Sequence, residues 1–83
     1  MSYEIIWTPR ALERLEEIDK PIAIRIAKKV EETQGIPHHY FEKLVGYQSW
    51  RLRVGDYRVI AHLDDENKKI IVQTVGHRKK IYG

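Results

Sequence analysis

The sequence predicts an α+β domain in which an N-terminal helical hairpin packs on one face of a small, mainly antiparallel sheet. Three observations predict it. Apolar residues recur at helical spacing between residues 11 and 30. From residue 49 onward they recur at every second position instead. Two of those alternating runs are joined by Gly55-Asp56, the signature of a tight hairpin with glycine first. The expected order is β-α-α-β-β-β, with helices on one sheet face.

Each element has its own justification. Tyr3 to Trp7 is a short apolar, β-prone run. Thr8 then suits a helix N-cap, and Pro9 suits the first helical position, where a missing N–H costs nothing. The helix is expected to reach about Ile18, with Ala11, Leu12, Leu15 and Ile18 as its buried stripe. Asp19-Lys20-Pro21 breaks it, and Asp19 is placed to cap a second helix. That helix buries Ile22, Ala23, Ile26, Ala27 and Val30, and Gly35 is its expected C-cap. Residues 36–40 read as loop, with Phe41 and Leu44 pinning the following turn to the core. Three strands follow, over Ser49–Val54, Tyr57–Leu63 and Lys69–Gly76.

The chain of 83 residues is expected to form one domain, 1–83, with no repeat or linker. A domain this small buries only roughly 60–65% of the surface its unfolded chain exposes, so its stability is expected to be marginal. It has no cysteine, which excludes a disulfide scaffold, a thiolate zinc site and a cysteine nucleophile. No apolar run approaches the ~20 residues needed to cross a bilayer, and no secretion signal is legible at the N-terminus. The expectation is a soluble cytoplasmic protein with no membrane association.

The net charge is +3, and its distribution says more than its total. Residues 1–42 carry 6 basic and 8 acidic side chains, whereas residues 43–83 carry 9 and 4. Basic charge in the C-terminal half points to a polyanion-facing surface there.

The Gly55-Asp56 turn fixes which residues face one another. Val54 faces Tyr57, Arg53 faces Arg58, Leu52 faces Val59, Arg51 faces Ile60 and Trp50 faces Ala61. Trp50, Leu52, Val54, Val59 and Ala61 are expected under the helices. Arg51, Arg53, Arg58 and His62 are then expected together on the opposite face. Like charges directly opposite cost about 0.2–1 kcal/mol per pair. Either the guanidinium groups splay into water or pair with acids such as Glu42, Asp64 or Asp65, or they converge on an anion. Arginine suits phosphate, because its planar fork donates two hydrogen bonds and stays charged. The tail, Gly76 to Gly83, adds His77, Arg78, Lys79, Lys80 and Tyr82, which are further phosphate contacts and a ring for base stacking. His38-His39 lacks spaced acidic partners, so no metal site is expected. Trp7 and Trp50 are expected in the core.

The run Trp50 to Ile60, with Arg53-Val54-Gly55-Asp56-Tyr57-Arg58-Val59 at its centre, resembles the RelE/ParE toxin superfamily. So does the ending Val75-Gly76-His77-Arg78-Lys79-Lys80-Ile81-Tyr82. The likeness covers essentially the whole chain and is nearest to RelE-type toxins. It implies the toxin of a toxin–antitoxin pair, held in a hetero-oligomer by a RelB-type antitoxin. It also implies ribosome-dependent cleavage of mRNA in the A site, with no metal or other cofactor, by attack of the ribose 2′-hydroxyl on the neighbouring phosphate.

Carried over by position, the resemblance makes Arg58, Arg78 and Tyr82 the catalytic candidates. Arg51 and Arg53 stand where RelE-type toxins carry basic residues, and with Lys79 and Lys80 they are the RNA-binding candidates. Some relatives have lysine where Arg51 and Arg53 stand. Arginine stays protonated and cannot serve as a general base, so His62 and His77 become the candidates for proton transfer. Two rival readings share the fold, a ParE-like inhibitor of DNA gyrase and a catalytically weak module that binds RNA or the ribosome.

Overall fold

The computed structural model describes residues 2–46 and 48–79. The chain starts as β1 (Glu4–Trp7) and turns into α1 (Pro9–Glu16) at Thr8. The Thr8 hydroxyl oxygen accepts the Ala11 N–H at 3.2 Å, so the expected cap forms. The same hydroxyl donates to the Val72 carbonyl at 2.9 Å, which ties the start of the helix to the sheet.

Both helix ends differ from expectation. α1 stops at Glu16, because the N–H groups of Glu17 and Ile18 reach back only three residues, to Arg14 and Leu15. In α2 (Lys20–Glu32) the Asp19 carbonyl accepts from Ile22 and Ala23, but its side chain makes no cap bond. The C-cap is Thr33 rather than Gly35. Thr33 is fully buried, its hydroxyl donates to the Val30 carbonyl at 2.7 Å, and Gly35 does not take the left-handed conformation of a glycine cap.

Two short elements appear where a loop was expected. Pro37 starts a single helical turn, α3 (Pro37–Tyr40), closed by the Phe41 N–H on the Pro37 carbonyl. β2 (Glu42–Lys43) then pairs with the start of β3 (Trp50–Val54). With β4 (Tyr57–Asp64) and β5 (Lys69–His77), the sheet has five strands in the order β1-β5-β4-β3-β2. β1 runs parallel to β5, and the other pairs are antiparallel. The α+β class and the mainly antiparallel sheet are as expected.

The β3–β4 register matches the sequence reading at all five pairs. Gly55 has φ +60 and Asp56 stays out of the left-handed region, as a II′ turn requires. One irregularity shapes β5. Ile60 pairs with Thr74 while Ala61 pairs with Val72, so Gln73 is an extra residue in β5.

One sheet face carries the core. Leu52, Val54, Val59, Ala61, Leu63, Ile70, Val72 and Val75 pack under Ala11, Ile26, Val30 and Phe41. Burying each larger aliphatic side chain contributes about 1.5–3 kcal/mol. Trp7 and Trp50 are partly buried against this cluster, as expected. Leu12 is not, and stands 46% exposed, because the short α1 turns only Ala11 and Leu15 toward the sheet. Among the described residues, no helix is long and apolar enough to cross a membrane.

Candidate functional site

Strand alternation puts the remaining β3 and β4 side chains on the face away from the helices. The row nearest the turn pairs Arg53 with Arg58, and Gly76 of β5 lies across from Arg58 on the other side. Gly76 thus places no side chain of its own across from Arg58. The next row holds Glu42, Arg51, Ile60 and Thr74. The Arg78 N–H donates to the Asp56 carbonyl at 2.9 Å, which carries the ladder one residue beyond β5. By that register Arg78 stands one step from Gly76, next to the Arg53–Arg58 row. The arginines the sequence singled out are therefore close in space.

Their surroundings differ. Arg51 pairs with Glu42 at 2.9 Å, one of the acidic partners anticipated for this face. Arg58 is half-buried, and its Nε is enclosed by protein. Arg53 and Arg78 are exposed. Arg53 and Arg58 stand directly opposite each other, an arrangement of like charges that by itself costs about 0.2–1 kcal/mol.

The two histidines separate. His62 shares the arginine face but lies four residues beyond Arg58 on β4, about 13 Å along the strand. Hydrogen bonds from the Asn67 side chain and backbone hold the nearby Asp64 carboxyl below its ordinary pKa, with a smaller contribution from His62. His77 pairs with Tyr57 in the register and packs edge-on against its ring, with centroids 5.4 Å apart. That is the helix side of the sheet. Its Nδ1 accepts the Lys79 N–H at 3.2 Å. The structure thus brings His77 next to Arg78 in sequence but onto the other face. Lys79 is exposed. Lys80 and Tyr82 lie outside the described residues.

His38 and His39 also part company. His38 Nε2 lies 2.6 Å from Asp65 Oδ1, and its ring packs edge-on against Trp50. The Tyr3 hydroxyl donates to the same Asp65 oxygen at 2.8 Å. The bonds from His38 first, then Tyr3, lower the Asp65 pKa, while the bond to Asp65 raises that of Tyr3. This cluster joins α3, β1 and the β4–β5 turn, away from the arginine rows.

Sequence reasoning missed three cations. Arg25, Lys28 and Lys29 of α2 line a groove of about 630 Å³ together with Glu32, Arg53, Val54 and Gly55. Their spacing of three and four residues puts them on one helix face, which was the available signal. A net negative charge over the first 42 residues concealed it.

Known proteins share this fold. The family profile described as the ParE toxin of type II toxin–antitoxin systems matches residues 5–82. A putative RelE-like toxin protein from Escherichia coli is 30% identical over 83 residues, covering 96% of this chain and 87% of that protein. The structure of the RelBE2 toxin–antitoxin complex from Mycobacterium tuberculosis matches with a TM-score of 0.88 at 21% identity, over 94% of this chain and 100% of the matched one. A mutant of the Escherichia coli toxin RelE in the free state matches with a TM-score of 0.82 at 22% identity, over 99% and 90% of the two chains.

Proposed function

The chain belongs to the RelE/ParE toxin family of type II toxin–antitoxin systems, and from that premise we propose that it is a ribosome-dependent endoribonuclease that cuts mRNA in the A site. The observation that carries the reading is the Arg53–Arg58 pair on the sheet face away from the helices, with Arg78 one step along the ladder. Guanidinium groups gathered on one face suit phosphate, because each planar fork donates paired hydrogen bonds and stays charged.

In the proposed reaction the ribose 2′-oxygen attacks the adjacent phosphorus and its proton passes to a base. The bond from phosphorus to the 5′-oxygen breaks, and that oxygen takes up a proton. The products are a 2′,3′-cyclic phosphate and a 5′-hydroxyl. Negative charge grows on the phosphoryl oxygens in between. Arg58 and Arg78 stabilise it, a role worth about 10²–10³ in rate per donor. Arg51 and Arg53 hold the flanking phosphates, so that nucleophile and leaving group stay in line. Lys79 and Lys80 extend the phosphate contacts, and Tyr82 stacks on a base or moves a proton. His62 shares the arginine face but stands about 13 Å along β4 from Arg58, and His77 lies on the helix side, so neither reaches a proton held beside Arg58. A RelB-type antitoxin would mask that face in a hetero-oligomer, and action on ribosomes would place the protein in the cytoplasm.

The test is purified toxin on a programmed ribosome with an empty A site, with mRNA 5′ ends mapped by primer extension and naked mRNA as control. Cuts on the ribosome alone, lost in Arg58→Ala and Arg78→Ala, are the expected result. Ribosome binding without any cut would refute the catalytic assignment. The match to a profile described for ParE toxins favours gyrase inhibition as the second reading. Loss of supercoiling activity in a gyrase assay, with translation intact, would establish that reading in place of the first.

A further inference from the structure

We propose that the groove between α2 and the edge of β3 is a second RNA-binding site, one that holds the phosphodiester backbone outside the strand that is cut. The inference rests on the toxin acting on RNA, but not on where or whether it cuts.

β2 is only two residues long and pairs with β3 at Trp50 and Arg51 alone. The rest of β3 therefore borders α2 across an open groove. One stretch, of about 630 Å³, is walled by Arg25, Lys28 and Lys29 on the helix and Arg53 on the strand. The adjoining stretch, of about 260 Å³, shares Lys29 and Arg53 and adds Tyr40 and Arg51. The two form one track, with five cations against the carboxylates of Glu32 and Glu42. Glu32 pairs with Lys29 at 3.2 Å and Glu42 with Arg51 at 2.9 Å. Arg25, Lys28 and Arg53 are exposed. At one end a Cβ on Gly55 would lie 3.4 Å from the Arg25 guanidinium, so the bare glycine lets Arg25 rest against the hairpin turn.

The spacing suits a polynucleotide. About one turn of helix, ~5.4 Å, separates Arg25 from the Lys28–Lys29 pair on α2. Two residues of strand, ~6.7 Å, separate Arg51 from Arg53. Both are close to the repeat of phosphates along a strand. The floor argues against a peptide. Leu52 and Val54 line it but are only 3% and 6% exposed, so it offers no apolar pocket for an anchoring side chain. Cations without such pockets are the pattern of sequence-independent backbone binding. Arg53 borders both this groove and the arginine face, so one RNA fold can engage the two surfaces together.

The test is fluorescence anisotropy of a labelled RNA duplex between 50 and 200 mM salt, an RNA without the single strand that the cutting face would need. The Arg25→Gln/Lys28→Gln variant is expected to bind at least about ten-fold more weakly at the lower salt, with the slope of log K against log[salt] reduced by about 1.8 for two lost contacts. Both residues are exposed, and an unchanged melting temperature verifies that the variant is folded. Arg10→Gln, which removes an exposed cation of α1 outside the groove, is expected to leave duplex affinity within about two-fold. Wild-type affinity and slope in the double variant would overturn the proposal. So would equal competition by polyglutamate, which would make the groove a site for acidic protein segments. Failure to cut mRNA on the ribosome would refute the reading of the arginine face and leave this result standing.

Discussion

Replacing Arg53 with glutamate should make the protein more stable and less active. Arg53 lies directly opposite Arg58 and borders the Arg25 and Lys28 side chains. Removing a like-charge cross-strand pair recovers about 0.2–1 kcal/mol, and the opposite-charge pair that replaces it contributes a similar amount. Because Arg53 is exposed, solvent screening holds the total to about 1 kcal/mol. In a domain of this size that raises the melting temperature by about 4–8 °C. The assay is thermal unfolding followed by circular dichroism at low salt and again at 1 M. The gain should shrink at high salt, where the Debye length falls to about 3 Å. Arg53→Gln, which removes the repulsion without adding attraction, should give about half the gain. A melting temperature at or below that of the parent at low salt would refute the premise that the arginine rows lower stability. A gain that persists unchanged at 1 M salt would show that strand preference, rather than charge, produces it.

Three further outcomes follow from single contacts. Thr8→Ala loses the cap on α1 and the bond to the Val72 carbonyl, and should cost about 1 kcal/mol, read as a drop in urea midpoint at constant slope. Gly55→Ala forces a Cβ into a position with φ +60 and against Arg25, and should destabilise by about 1–2 kcal/mol in the same assay. The Asp65 carboxyl, held low by His38 and then Tyr3, stabilises the fold above its unfolded pKa of about 3.9, and loses that contribution as the pH falls through its lower folded value. Asp65→Asn should therefore melt below the parent at neutral pH, and the gap should close on acidification below about pH 4.

The β3–β4 hairpin was legible because Gly55-Asp56 fixes the turn and alternation then assigns every face. The cap at Thr8 was legible for the same reason, since side-chain chemistry and position agree locally. What escaped the sequence depended on elements too short for a period, or on distant pairing. α3 and β2 have four and two residues, too few for any repeat to show. The position of His77 depends on the β4–β5 register, which the extra Gln73 shifts by one. The α2 groove needed α2 and β3 side by side, and no local pattern announces that. For the site, the sequence assembled Arg51, Arg53 and Arg58 correctly on one face because all three lie on a single hairpin.

Gln73 also explains how the sheet keeps a core and a charged face apart. Ile70 and Val72 point to the helices. Strict alternation beyond them would send Thr74 and Gly76 into the core and turn Val75 outward. The inserted residue reverses the phase, so that Val75 joins the core at 1% exposure. The same reversal sets Gly76 opposite Arg58 and aligns Arg78 with the arginine rows. Without it Val75 would stand opposite Arg58 on the arginine face, and Arg78 would project from the helix side. One extra residue in β5 thus serves both halves of the molecule. It completes the apolar layer on which the helices rest, and it keeps Arg78 on the same face as Arg53 and Arg58.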